Sequence, residues 1–334
     1  MQSVLNDILA RLEESQLGPE IEVQKPNPPI FVLGCWRSGT TWLHRLLARD
    51  PSLAAPTGLQ VLYPHTFNLL EGRLQGRQAR VALSVYARWA RLNWGPQGHL
   101  PRKRISDNVM VGMDQPAEDE FALLMMKSSD LLGHLVGPEL AVRYQGYLTL
   151  LELDDTERTA WETRFLWFLK KLTLRYGART LVLKSPNHTA RVRMLLRLFP
   201  DARFVHLHRH PFDVYRSLAR HLALVESVSD VLQSRPFCPQ QTALYLYESV
   251  YSAYLEQRAS IPAGQLIEIP FAALEAEPER TLHELYRYLG LSSPPSPEPQ
   301  RYRKNSYPEL DSGTRRMLAL RWGRFFEAFG YEPL

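Results

Sequence analysis

Gly34 and Gly39 bracket four residues, Cys35, Trp36, Arg37 and Ser38, and Thr40 and Thr41 follow. This is the spacing of a nucleotide-triphosphate loop, in which a helix N-terminus turns backbone N–H groups towards phosphate oxygens. The lysine that such a loop sends to the β- and γ-phosphates is missing, because Thr40 stands in its place. The nearest cation is Arg37, so the loop suits fewer phosphates, with a guanidinium above the atom being transferred. The same pattern also occurs as a plain strand-to-helix turn with its arginine in solvent. A second anion site is needed to decide.

The segment 204–217, FVHLHRHPFDVYRS, supplies one. Arg209 at a strand end and Ser217, one or two helical turns further on, can converge on one anion. A third segment, Lys184-Ser185-Pro186-Asn187-His188, follows another apolar run and puts a cation at the same sheet edge. An attacking hydroxyl also needs a group to take its proton. His65, in the stretch 61–67 (VLYPHTF), is the first candidate, and Glu118, in PAEDEFALL at 116–124, is an acceptor-site candidate. Asp119 and Glu120 cannot both face one point on a helix, and the whole cluster reads equally as an acidic helix cap. His188 and His210 are candidates for orienting their neighbours. The ten histidines show no metal-ligand spacing, so no metal is expected.

With these residues set out, Gly34 to Leu43 resembles the 5′-phosphosulfate loop of the PAPS-dependent sulfotransferases, enzymes that use 3′-phosphoadenosine 5′-phosphosulfate (PAPS). Trp36 stands where that family commonly has proline, and Arg37 keeps the cation. The stretch 204–217 resembles the family's 3′-phosphate motif. Lys184 to His188 resembles a strand-end segment of the branch that holds many bacterial members and the protein-tyrosine sulfotransferases. The resemblance covers roughly residues 30–290.

The resemblance implies PAPS as donor, a hydroxyl or less readily an amine as acceptor, and adenosine 3′,5′-bisphosphate as product. It implies Arg37 on the bridging and leaving oxygens, with Ser38, Gly39, Thr40 and Thr41 around the 5′-phosphate. Arg209 and Ser217 would hold the 3′-phosphate, and Lys184 would add charge near the transferred group. Trp42 would pack over the adenine or fill the core. His65 ranks first as base because related bacterial sequences carry an aromatic-Pro-His segment there. Gln60 stands near a position where one branch has glutamate, and an amide cannot serve as a base. The rival readings are a P-loop kinase-like phosphotransferase with Arg37 in place of lysine, and a non-catalytic binder of a phosphorylated nucleotide.

The elements that must position these groups follow from periodicity. Apolar runs at 30–33, 180–184, 203–208 and 265–269 read as strands. Helices are expected at 41–48, 118–126, 155–176, 190–199, 211–224, 242–257, 280–289 and 311–329. Strands alternating with helices favour parallel pairing, so the expected fold is α/β, a P-loop-like parallel sheet flanked by helices, with helical insertions. Residues 1–29 read as an N-terminal helical arm, helical over 1–14, and 30–334 as one domain. The stretch 52–110, with its basic run at 102–104, reads as an insertion over the site. Tyr86, Trp89 and Trp94 lie within it but do not define a cavity from sequence, and residues 52–128 are the stretch expected to surround the acceptor.

The 334 residues carry 40 Lys plus Arg against 35 Asp plus Glu, a net charge of +5, which suits an anionic small molecule. Without a zinc-finger spacing, an arginine-rich tail or an aromatic RNA-binding signature, nucleic acid is not an expected partner. Cys35 and Cys238 are the only cysteines, which excludes a disulfide scaffold and fits a reducing compartment. The first residues lack a secretory pattern, and no apolar run reaches the roughly 18 residues of a transmembrane helix. The expectation is a cytoplasmic protein acting on a small-molecule, lipid, carbohydrate or peptide acceptor. Its helical faces are compatible with a homodimer.

Overall fold

The structure is a computed structural model that describes residues 2–72, 81, 84, 102–103, 110–127, 146–227, 237–296 and 307–333. Tyr86, Trp89, Trp94 and Arg104 lie outside the described residues. Strands β1 (Ile30–Leu33), β2 (Leu53–Ala54), β5 (Thr180–Lys184), β6 (Arg203–His208) and β7 (Leu266–Pro270) form a parallel sheet in the order β2-β5-β1-β6-β7. A separate antiparallel pair joins β3 (Arg102–Lys103) to β4 (Met110–Val111).

The central strands β1 and β5 are buried on both faces, which suits the apolar runs IFVL and LVL that form them. Side chains still alternate along each strand. Phe31, Leu33, Leu181, Leu183 and Phe204 join one core cluster, and Ile30, Val32, Val182, Val205 and Leu207 join another. The first cluster includes residues of helices Asp155–Tyr176, Pro211–Ser227, Pro239–Gln257 and Ser312–Ala328. The second includes residues of helices Thr40–Leu47, Phe271–Ala276 and Pro278–Leu289. The result is helix, sheet, helix.

Two expectations change in detail. The first helix runs over Gln2–Glu22 and passes through Pro19. An interior proline costs a helix roughly 3 kcal/mol, and burial of Leu17 and Ile21 against Leu69 and Leu174 offsets it. Across the same contact, the buried Glu13 carboxylate pairs with the buried Lys171 ammonium, which also donates to the Pro64 carbonyl at 2.6 Å. Burial pushes the Glu13 carboxyl up and the Lys171 ammonium down from their ordinary values. The second change lies after β5, where Pro186–Ala190 forms a tight 3₁₀ turn before helix Val192–Leu198 begins.

Histidines of β6 fasten the C-terminal segment to the sheet. His206 and His208 pack against Phe329 at 5.4 and 5.3 Å, and His208 Nδ1 lies 3.0 Å from the Tyr331 hydroxyl. Burial lowers both imidazoles, His208 to about 4. His44, buried in helix Thr40–Leu47 and facing Lys184, is lowered to about 3. Each histidine is neutral in the fold and takes up a proton more readily once unfolded. Stability is therefore complete above the ordinary histidine value and drains away as pH falls from 6.5 towards 4. At pH 4 each of His44 and His208 accounts for on the order of 3 kcal/mol. Urea midpoints at pH 7 and pH 4.5 check this. A clear fall is expected, and equal midpoints would remove the histidines as its cause.

Candidate active site

Strands β5, β1 and β6 are adjacent, so the loops that leave their C-terminal ends open at one sheet edge. That is the edge at which open parallel sheets bind ligands. Three sequence segments meet there, beginning at Lys184, Gly34 and Arg209.

The central loop needs its glycines. Gly39 precedes helix Thr40–Leu47 with φ of 98°, and a Cβ there would meet the Phe271 ring at 2.3 Å. Gly34 has φ of 145°, and a Cβ would lie 2.5 Å from the Leu207 carbonyl oxygen. Hydrogen bonds fix the path between them. Gly34 N donates to Thr189 Oγ1 at 2.7 Å, Cys35 N donates to the Tyr251 hydroxyl at 3.3 Å, and Ser38 Oγ donates to the Cys35 carbonyl at 2.6 Å. Trp36 packs on the core where the family commonly has proline. Trp42 N and Leu43 N donate to the Gly39 carbonyl at 2.9 and 3.4 Å, so the amides left to face an anion at this helix start are those of Gly39, Thr40 and Thr41.

Arg37 carries a left-handed backbone, φ of 71°, uncommon for a residue with a side chain. Its Nε donates to Ser217 Oγ at 2.9 Å, which joins the first motif directly to the second. Arg209 Nη1 donates to the Arg37 carbonyl at 3.4 Å, and its guanidinium lies 4.9 Å from the Phe271 ring centre. Asp213 steadies this group, pairing with Arg216 and lying 3.5 Å from Arg209 Nε. Burial alone would raise the Asp213 carboxyl, and the arginines outweigh it to hold it low. The Arg37 side chain thus runs to Ser217, on the β6 side of the loop.

The cation on the other side of β1 is Lys184. It is 3% exposed, its ammonium pairs with the Glu118 carboxylate, and it lies 3.4 Å from Thr41 Oγ1. Glu118 begins a ladder of three consecutive acids, each bonded to a different base, Lys184 at the end of β5 and His188 and Arg191 on the segment after it. Asp119 Oδ2 lies 2.6 Å from His188 Nε2, with both side chains fully buried, and Glu120 Oε1 accepts from Arg191 Nη2 at 3.0 Å. Burial would raise the Asp119 carboxyl, and His188 outweighs it to leave it low. The acidic cluster is therefore more than a helix cap. It clamps two chain segments together and leaves Glu118 and Lys184 beside the loop.

His65 is not brought to this edge. It is exposed, lies 5.3 Å from the Trp167 ring, and has Lys171, Arg164 and Asp7 as charged neighbours. None of these belongs to the loop or to a strand end. Gln60 is buried as part of a helix cap, its amide bonded to Glu71 and Tyr176 at 2.9 Å. Trp42 packs edge-on against Phe271, 6.0 Å between ring centres, as part of the second core. His210 sits among Phe212, Phe326 and Tyr331. Thr189 and Tyr251, which hold the loop, carry no local sequence signal. No metal-binding cluster of His, Cys, Asp and Glu occurs among the described residues, and none of their helices is long and apolar enough to cross a membrane.

Residues 28–295 match the model of the sulfotransferase family. The chain is 27% identical over 340 residues to omega-hydroxy-beta-dihydromenaquinone-9 sulfotransferase Stf3 of Mycobacterium bovis, a match spanning 99% of this chain and 82% of that protein. The protein of that name from Mycobacterium tuberculosis gives the same figures. Among solved structures, sulfotransferase STF9 from Mycobacterium avium has a TM-score of 0.67 at 19% identity, covering 97% of this chain and 82% of its own. STF1 from Mycobacterium tuberculosis has a TM-score of 0.59 at 20% identity, covering 85% and 73%. At these identities the solved structures share the fold.

Proposed function

Because this chain belongs to the sulfotransferase family, and so is an enzyme that transfers sulfuryl groups, we propose that its donor is PAPS and its acceptor an alcohol. The observation that carries this reading is the two-ended loop. Arg37, Arg209 and Ser217 gather on the β6 side, and on the β5 side Lys184 meets Thr41 and pairs with Glu118. A nucleotide with a 3′-phosphate at one end and a phosphosulfate at the other needs two such ends, and a simple triphosphate does not.

The donor supplies an SO₃ group already bonded to a phosphate leaving group. Glu118 takes the proton from the acceptor hydroxyl as that oxygen bonds to sulfur. The bond between sulfur and the phosphate oxygen breaks, and its electron pair leaves on the 5′-phosphate of adenosine 3′,5′-bisphosphate. Lys184 offsets the charge that develops there, and the loop amides of Gly39 to Thr41 hold the 5′-phosphate. Arg37, Arg209 and Ser217 hold the 3′-phosphate. In this reading Glu118 takes the place of His65 as base.

The acceptor we infer is an alcohol on an apolar body. Leu62, Val111 and Met125 are exposed, the last two on the stretch 110–127 that carries Glu118 and Leu62 on the helix Gly58–Leu62. Gly58 N and Leu59 N donate to Gln115 O and Met113 O, clipping those pieces together. The relatives named above act on an omega-hydroxylated dihydromenaquinone, which supports the same class. Calorimetric titration with adenosine 3′,5′-bisphosphate and with ATP tests the donor. Tighter binding of the bisphosphate is expected, and preference for ATP would replace this reading with a phosphotransferase. Labelled PAPS offered with a panel of isoprenoid alcohols, sugars and tyrosine peptides tests the acceptor. Labelled product from the isoprenoid alcohols is expected, and product from sugars or peptides alone would overturn the acceptor class.

A further inference from the structure

Two links join the donor-loop helix Thr40–Leu47 to the chain that carries Glu118. The first runs from Thr41 through Lys184 to Glu118. The second starts four residues along the same helix, where Arg45 Nη2 donates to the Gln115 side-chain oxygen. Residues four apart share a helix face, so both links leave the helix towards one segment. Gln115 is also held through its backbone. Its carbonyl accepts from Gly58 N at 2.9 Å, and its own N–H donates to the Gly112 carbonyl at 3.2 Å. Pro116 forms a bridge with Thr57, and Ala117 N donates to the Pro56 carbonyl at 2.8 Å. The approach is close, since a Cβ at Gly58 would lie 2.3 Å from the Gly112 carbonyl oxygen. Glu118 is the next residue of this braced stretch.

We propose that Gln115 is a positioning residue: bound by Arg45, it fixes the distance between the donor loop and the Glu118 carboxylate. This rests on the reading of Glu118 as the base. A base works only within hydrogen-bond reach of the proton it takes, and a displacement of about 1 Å can cost on the order of 10²-fold in rate. The Lys184 ammonium is a point charge on a flexible stem, whereas the planar Arg45 fork gives the second link a direction. Arg45 lies one helical turn beyond Thr41, away from the amides at the helix start that face the anion. Loss of the link therefore moves the base and spares the nucleotide.

The test compares the full chain carrying Gln115→Leu, Arg45→Met, both together, or Gln115→Glu, whose carboxylate still accepts from Arg45. With labelled PAPS and geranylgeraniol as acceptor, each of the first two is expected to lower kcat roughly 10- to 100-fold. The KM for PAPS and the base limb of the pH profile should not move. The double variant should fall no further than the worse single one, because the two residues act as one link. Gln115→Glu should keep kcat within about threefold of wild type. Hydrogen exchange needs no acceptor and reads the brace directly. The peptide 113–120 should exchange faster in Gln115→Leu, while the loop peptide 34–41 keeps its wild-type rate. Wild-type kcat in Gln115→Leu, unchanged exchange of the first peptide or equal speeding of both would overturn the proposal. So would a loss of kcat in Gln115→Glu as large as in Gln115→Leu. If the wild type sulfates no isoprenoid alcohol, the acceptor reading fails by itself and the exchange rates still decide. If Glu118→Gln retains turnover, the reading of the base fails first and this proposal falls with it.

Discussion

Glu118→Gln should lower kcat by about 10²- to 10⁴-fold, the range for loss of a positioned proton acceptor, while adenosine 3′,5′-bisphosphate still binds. The two effects separate because the proposed donor site consists of the loop, Arg37, Arg209 and Ser217, and Glu118 touches none of these in its described contacts. Its partner is Lys184, and the amide cannot replace that charge. Lys184→Met should therefore also remove turnover, by about 10²- to 10³-fold, since it takes away charge stabilisation at the leaving oxygen. The pH dependence distinguishes the two. The limb of the rate profile that reports the base should vanish in Glu118→Gln and persist in Lys184→Met. Single-turnover kinetics with labelled donor and a verified acceptor make the measurement. Turnover within threefold of wild type in Glu118→Gln would place the base elsewhere.

Arg191→Leu should destabilise the fold by about 3–5 kcal/mol, the cost of leaving one member of a buried ion pair alone. Arg191 is fully buried and bonds Glu120 through both terminal nitrogens, the Leu148 carbonyl at 3.0 Å and the Tyr147 carbonyl. Its guanidinium also lies 5.1 Å from the Trp161 ring centre. Removing it takes a buried counter-charge from the Glu120 carboxylate and a donor from the Leu148 and Tyr147 carbonyls. For a domain of ordinary stability that is a large share of the total. The double variant with Glu120→Leu should regain much of the loss, because exchanging both partners for apolar side chains leaves no bare charge. Urea unfolding of the two single variants and the double variant measures the coupling. A single-variant loss below about 1 kcal/mol would mean that the third rung does not hold the segments together.

The sheet could be read in advance because its signals are local. Apolar runs ended by Gly34, by Lys184-Ser185-Pro186 and by Arg209-His210-Pro211 fall where β1, β5 and β6 end. Helix Asp155–Tyr176 was legible for the same reason. The site's internal wiring was not. Whether Arg37 turns to sulfur or to Ser217 depends on a left-handed backbone and side-chain torsions that leave no trace in residue type. The surroundings of His65 were not legible either, because an aromatic-Pro-His string says nothing about direction. The short helices Gly58–Leu62 and Phe67–Leu70 place their buried side chains in the core, while His65 rests on Trp167. The ladder had a visible cue that was overlooked. Lys184, His188 and Arg191 recur at roughly helical intervals, and three consecutive acids at a helix entry can fan out to meet them. Consecutive residues diverge within a regular helix, but here Glu118 precedes it and Asp119 caps it.

The pairing of Glu13 with Lys171 bears on modularity. The match to the family model begins at residue 28, so it contains the lysine without its counter-ion. The helix Gln2–Glu22 is thus no interchangeable leader. A chimera that borrows this helix from a relative inherits a working partner for position 171 only if the graft brings an acid to the place of Glu13. An apolar graft would work only with an apolar residue at 171 as well. The two positions, 158 residues apart in the chain, behave as one exchangeable unit.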